Sequence, residues 1–212
     1  MQINQRIVVI LHKLRVLAYH LSKVALFISK KLFGTKRYKK IVLICAPRTG
    51  SNLLMSYLNT HPKIKMKGEL FNFLEGDKID KKWNHIFNKE LPWIKYLGFK
   101  LFYLHPHDAK PEEKAILLDK ILADEKIYII HLRRRNKLRT YLSHEIAKRS
   151  DIWVRSKVKG QLSLENKRFT VDLDQTVEYI ESVRKLEDEF SKKISSRNHS
   201  ELFYEDYIFI KK

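Results

Sequence analysis

The sequence predicts an α/β fold, three layers built around a mostly parallel central sheet and preceded by an N-terminal amphipathic helix. Three observations carry this. From residue 41 onward, short apolar runs alternate with helical patterns. Two of those runs break directly into a small or basic turn and then into a helix, which is the junction found in parallel strand–helix–strand units. Before them, apolar residues recur at three- and four-residue steps through most of the first 33 positions.

Ile7, Ile10, Leu11, Leu14, Leu17, Ala18, Leu21, Ala25, Ile28 and Leu32 make one helical stripe, with Lys13, Arg15, Lys23, Lys30 and Lys31 off it. At 1.5 Å per residue the helix is roughly 40 Å long. Charges interrupt each apolar run, so no segment approaches the roughly 20 uninterrupted apolar residues of a membrane span. No signal-peptide cleavage pattern follows the stripe. Gly34-Thr35-Lys36-Arg37 supplies a stop and a basic connector, so residues 1–37 form one unit and 38–212 a single domain. A basic amphipathic helix without acids suits an anionic membrane surface, here through residues 7–33. Packing on the domain's own core or on a second subunit is the alternative.

The domain begins with a strand near 41–46, a helix near 51–60 and a short strand at 63–67. A strand near 97–103, a helix near 112–123, a strand at 126–132 and a helix at 137–149 follow. Pro111 with Glu112 and Glu113 marks a helix start. Val177, Ile180, Val183, Leu186 and Phe190 share one face of a helix over 174–194, and Leu202-Phe203-Tyr204 belongs to a terminal strand. No element is assigned between 68 and 96.

The formal charge of +19 is concentrated near the N-terminus. No Asp or Glu precedes Glu69, and residues 1–68 hold 14 Lys and Arg, while the other 144 residues set 29 Lys and Arg against all 24 acids. Such a field attracts nucleic acid, anionic lipid or an anionic small ligand. No zinc-finger spacing or RNA-binding aromatic signature is present, which argues against specific nucleic-acid recognition. Cys45, the only cysteine, lies in the first strand as a small core residue, and an intrachain disulfide is excluded.

The first strand ends in Ala46-Pro47-Arg48-Thr49-Gly50-Ser51-Asn52 and opens a helix at Leu53. Gly50 permits close backbone approach, Thr49 and Ser51 bring hydroxyls, Arg48 brings a permanent charge, and the N–H groups of the new helix point at the turn. This is a P-loop-like phosphate site. It lacks the Gly-Lys-Ser/Thr ending that gives nucleoside triphosphatases their lysine and their magnesium-binding hydroxyl. The second junction delivers Arg133-Arg134-Arg135-Asn136 from the strand at 126–132 into the next helix. Two such basic turns suit a ligand with two phosphates.

Pro47 to Leu54, followed by Asn59-Thr60-His61-Pro62 and Gly68-Glu69-Leu70-Phe71-Asn72, resembles the 5′-phosphosulfate loop of PAPS-dependent sulfotransferases, most of all the bacterial carbohydrate branch with its nodulation-factor and lipopolysaccharide-type enzymes. The resemblance runs from about Ile41 to Asp206, where Tyr204-Glu205-Asp206 is similar to an element that often closes the family core. Family members commonly continue well beyond it, whereas this sequence stops six residues later.

The resemblance implies sulfonate transfer from PAPS (3′-phosphoadenosine 5′-phosphosulfate) to a hydroxyl of a carbohydrate or glycolipid acceptor, leaving PAP and needing no metal. It implies that Arg48, where many relatives carry a lysine, stabilises the leaving phosphate and that backbone donors around Thr49, Gly50, Ser51 and Asn52 hold the 5′-phosphate. Arg135 and Ser143, eight residues apart, would hold the 3′-phosphate. Glu69 is the expected general base, with Asn72 orienting it or an acceptor hydroxyl, and His105, beyond the strand that carries Lys100, is the competing base. The direction of Lys100 is open. His105-Pro106-His107-Asp108 lacks a further ligand cluster for a metal and reads as a polar turn.

Residues 150–173, with Trp153, Arg155 and Phe169, form an acceptor pocket or a lid. The expected location is cytoplasmic, peripheral on the inner face of the cell membrane. Oligomeric state is not specified. A P-loop small-molecule kinase and a non-enzymatic membrane-associated protein with a degenerate PAPS site are the rival functions.

Overall fold

The computed structural model describes residues 2–76, 78–150, 153 and 170–208. Its centre is a five-stranded, all-parallel sheet of β1 (Lys39–Cys45), β2 (Ile64–Met66), β3 (Tyr96–Phe102), β4 (Ile127–Arg133) and β5 (His199–Phe203), in the order β2-β3-β1-β4-β5. Helices α2 (Ser51–Leu58), α3 (Ile79–Ile86), α4 (Pro111–Ala123), α5 (Lys137–Ser150), α6 (Leu173–Ile194) and α7 (Tyr204–Tyr207) connect and flank the strands.

Strand pleating separates two apolar layers. Val42 and Ile44 of β1 with Leu97, Phe99 and Leu101 of β3 face Trp83 of α3, Leu117 and Ile121 of α4 and Phe190 and Ile194 of α6. Ile41, Leu43 and Cys45 face the other way, toward Leu54 of α2 and Tyr207 of α7. Strands covered on both faces read as continuous apolar runs, which is why β1 was legible as Ile-Val-Leu-Ile-Cys. Cys45 is fully buried, and burial pushes its thiol up to about 11.

β1 lies at the middle of the sheet, and the chain leaves it first toward β2 and β3 and later toward β4 and β5. That is a topological switch point, where parallel sheets open a crevice at the carboxyl ends of the strands. The expected three-layer architecture and its N-terminal helix are both present. α3 falls in the stretch left unassigned by the sequence, because eight residues with three buried apolar side chains give little periodic signal. Tyr204, expected in the last strand, instead begins the single-turn α7.

Helix α1 (Gln2–Phe33) precedes the sheet. Its apolar side chains from Val9 onward are exposed, Leu21 at 61%, Phe27 and Leu32 at 68%. At its end, Lys30 reaches Glu90 at 2.8 Å and Thr35 bridges to Glu90 through the backbone. Among the described residues, no helix is long and apolar enough to cross a membrane.

Candidate anion-binding and transfer site

The turn after β1 is shaped by two left-handed residues, Arg48 (φ 64°) and Gly50 (φ 87°). Arg48 in that region is strained, and the surrounding structure holds it. Its carbonyl accepts from Arg134 Nη1 at 3.0 Å, its Nε donates to Ser143 Oγ at 3.0 Å, and its Nη1 donates to the Trp153 carbonyl at 2.6 Å. Gly50 has a second reason to lack a side chain, since a Cβ there would lie 2.2 Å from the Tyr204 ring. Tyr207 donates its hydroxyl to the Gly50 carbonyl at 3.1 Å.

Leu53 and Leu54 donate the first helical bonds of α2 back to Gly50. The N–H groups of Ser51 and Asn52 therefore lie ahead of the helical ladder, where an anion would be received. The two hydroxyls of the turn are buried. Thr49 is 1% exposed and donates its hydroxyl to the Ala46 carbonyl at 2.8 Å, and Ser51 is buried as well. What Thr49 offers a ligand is its backbone.

The arginine triplet divides three ways. Arg133 pairs with Glu187 at 3.0 Å and Asp188 at 2.8 Å on α6. Arg134 reaches the β1 turn and lies 4.6 Å over the Tyr204 ring, with its Nε buried and unpartnered among the described residues. Arg135, the residue expected to hold the 3′-phosphate with Ser143, is half exposed and paired with Asp206. The structure does not bring Arg135 and Ser143 together directly: Ser143 joins Arg48, and Arg134 is the cation that turns inward. Side-chain direction, which alternates and depends on distant partners, decided this; the run Arg-Arg-Arg left it open.

The Tyr-Glu-Asp element acts at this corner. Tyr204 covers Gly50, while Glu205 accepts from the N–H groups of Arg135 at 3.0 Å and Asn136 at 3.1 Å, holding the turn just ahead of α5, which Asn136 caps by accepting from the Arg139 N–H at 2.9 Å. Burial pushes the Glu205 carboxyl up, but those two bonds outweigh it and hold the group below its ordinary value. Lys137, 8% exposed, donates to both Glu187 oxygens and to the Arg134 carbonyl, fastening the turn to α6.

On the other side of β1, Lys100 projects from the middle of β3 toward α2, because Phe99 and Leu101 take the opposite face. It is 2% exposed and donates to Asn52 Oδ1 at 2.7 Å, with Glu69 Oε1 also 2.7 Å away. Pairing continues past β2, Lys67 N to Gly98 O and Lys100 N to Gly68 O, so the backbone itself brings Glu69 beside Lys100. Lys100 is the site residue whose direction the sequence did not give. A lone lysine inside Leu-Gly-Phe-Lys-Leu-Phe was the available signal, since a strand covered on both faces tolerates a charge only where it has partners.

His105 lies close to this pair but is 3% exposed. Its Nδ1 accepts from the Phe102 N–H at 3.4 Å, which places the ring proton on Nε2, and Nε2 has no partner among the described residues. Burial first, then the neighbouring His107, lowers its pKa to about 4, against the opposing pull of Glu69. A neutral ring with its acceptor nitrogen already engaged is a poor base. Glu69, one third exposed and fixed through one oxygen, is the better placed of the two.

Asn72 is held through its carbonyl, which accepts from the His107 N–H at 2.9 Å. Arg155 and Phe169 lie outside the described residues. Among the described residues no cluster of three or more His, Cys, Asp or Glu could hold a metal ion. No protein-family model matches the chain, and no curated protein is significantly similar to it in sequence.

Proposed function

We propose that the chain is a PAPS-dependent sulfotransferase acting on a carbohydrate hydroxyl, of a glycolipid or a surface polysaccharide. The observation that carries this reading is the position of the β1 turn. It sits at the switch point of a parallel sheet, with Arg48 and Arg134 on the β4 side and the buried Lys100, paired with the half-buried Glu69, on the β3 side. An anionic donor and a hydroxyl acceptor need those two kinds of group next to one another.

The donor-holding groups fit a phosphorylated ligand: the N–H groups of residues 49–52, the Arg48 and Arg134 guanidiniums, and a helix N-terminus. Bound PAPS would supply an activated sulfonate, whose sulfur–oxygen bond to the 5′-phosphate breaks as the acceptor oxygen bonds to sulfur. Glu69 takes the acceptor proton. Lys100 fixes one Glu69 oxygen and, through Asn52, ties the carboxylate to the start of α2. Arg48 stabilises the negative charge on the leaving phosphate without giving up a proton, and Arg134 grips the bound phosphate.

Titration calorimetry of the full chain with PAP and with ADP plus magnesium tests the reading. PAP is expected to bind in the micromolar range or tighter and ADP with magnesium at least tenfold more weakly. The reverse order would identify a small-molecule kinase, and no response to either would mean a degenerate site.

The reading includes a peripheral place on the inner face of the cell membrane. The exposed stripe of α1 carries Leu11, Leu14, Leu17, Leu21, Ile28 and Leu32 among lysines and arginines, with no acid anywhere on the helix. That composition suits anionic headgroups with the stripe among acyl chains. The full chain is expected to float with phosphatidylglycerol vesicles, and a variant with Leu14, Leu21 and Ile28 changed to Ser is expected to stay at the bottom of the gradient. Equal flotation of the two would remove the membrane from the proposal.

A further inference from the structure

A row of rings leads outward from the Lys100–Glu69 pair. Lys100 Nζ lies 5.0 Å from the Phe102 ring centre, Phe102 is 4.8 Å from His105, His105 is 4.7 Å from His107, and His107 is 5.7 Å from Phe73. Of the inner rings His105 is buried and Phe102 half-buried, whereas Phe73 is 44% exposed and His107 is exposed. A buried cation and the carboxylate it holds are thus linked, ring by ring, to an aromatic surface. Phe73 is also only four residues from Glu69, on the same loop.

That surface is built rather than loose. The Asp108 carboxylate accepts from the N–H groups of Leu74 at 2.7 Å and Glu75 at 2.8 Å, and these two bonds hold its pKa below the ordinary value. The Asn72 carbonyl accepts from His107, and the Phe73 carbonyl accepts from Lys82. Two loops, one after β2 and one after β3, are clasped so that Phe73 and His107 face solvent together. A large apolar ring left exposed on a pre-fixed loop that also carries Glu69 is a binding feature more than a packing one.

We infer that Phe73 and His107 form the subsite that receives the sugar ring of the acceptor, stacking on its C–H face and presenting a hydroxyl toward Glu69; this rests on the sulfotransferase reading. The chemistry favours a pyranose over an acyl chain. A sugar offers a flat apolar face edged by hydroxyls, which matches a phenyl ring beside an imidazole, whereas a lipid tail needs a continuous apolar channel.

Saturation-transfer NMR on the full chain tests this, using methyl glycosides of glucose, galactose and N-acetylglucosamine with PAP present. Transfer to the ring C–H protons of at least one glycoside is expected, falling at least threefold in Phe73→Ser and in His107→Ala, while calorimetric affinity for PAP changes less than twofold. No transfer to any glycoside, or unchanged transfer in both variants, overturns the subsite. A Phe73-dependent signal from n-hexanol in place of the glycosides also overturns it and assigns the face to an alkyl chain. If PAP fails to bind but Phe73-dependent glycoside transfer persists, the sulfotransferase reading falls and the sugar subsite stands.

Discussion

The two sides of the β1 turn solve the handling of charge differently. On the β4 side, arginines reach a strained backbone turn: Arg134 bonds the Arg48 carbonyl, Arg48 bonds Ser143 and the Trp153 carbonyl, and Tyr204 and Tyr207 close over Gly50. On the β3 side, a single lysine is buried against a carboxylate and an amide. Guanidinium groups keep their charge under all ordinary conditions and bind oxygens in a planar fork, which suits grasping phosphate. A carboxylate held by one lysine keeps a second oxygen for a proton. Under the proposed function the contrast assigns donor affinity to one side and proton transfer to the other, and variants on the two sides should separate them.

The largest effect should come from the β3 side. Glu69→Gln keeps the shape and a hydrogen-bonding oxygen but removes the base, so turnover should fall by about 10²- to 10⁴-fold with PAP affinity unchanged. Sulfonate-transfer assays beside calorimetry check this; a loss of PAP binding of the same size would erase the distinction between the two sides. Arg134→Gln should do the converse, weakening PAP by about 10- to 100-fold, the size of a lost charge-assisted hydrogen bond, with turnover at saturating donor changed far less. Should the turnover fall and affinity hold, Arg134 belongs with the transfer chemistry.

The smallest effect concerns stability and pH. Burial lowers His105 to about 4, and likewise His131, which is wholly buried beside Tyr103, Ser191 and Glu201. Both pKa values lie below the ordinary value of 6.5. Between pH 6.5 and 4 the unfolded chain therefore binds more protons than the folded one, and stability declines as pH falls through that window. Urea unfolding midpoints at pH 7, 6 and 5 should decrease in order. His105→Asn, whose amide oxygen can accept the Phe102 N–H in place of Nδ1, should flatten the trend. An unchanged slope would mean that His105 does not contribute to it.

By itself the sequence determined the alternation of strands and helices, the β1–turn–α2 junction and the long basic helix, because each is a local matter of apolar period, turn residues and helix starts. It also gave Glu69 a place just past a short strand. Only the tertiary structure decided that Arg134 turns inward while Arg135 pairs with Asp206, that Ser143 joins Arg48, that Thr49 spends its hydroxyl on Ala46, and that Lys100 points at Glu69. It also supplied α3 and the single turn at Tyr204. Those outcomes depend on which strands lie side by side and in what register, and the partners that set them are 48 residues apart for Lys100 and Asn52 and 86 for Arg134 and Arg48. Local chemistry chooses the element, whereas the direction of a long charged side chain is chosen by whatever the rest of the chain brings within reach.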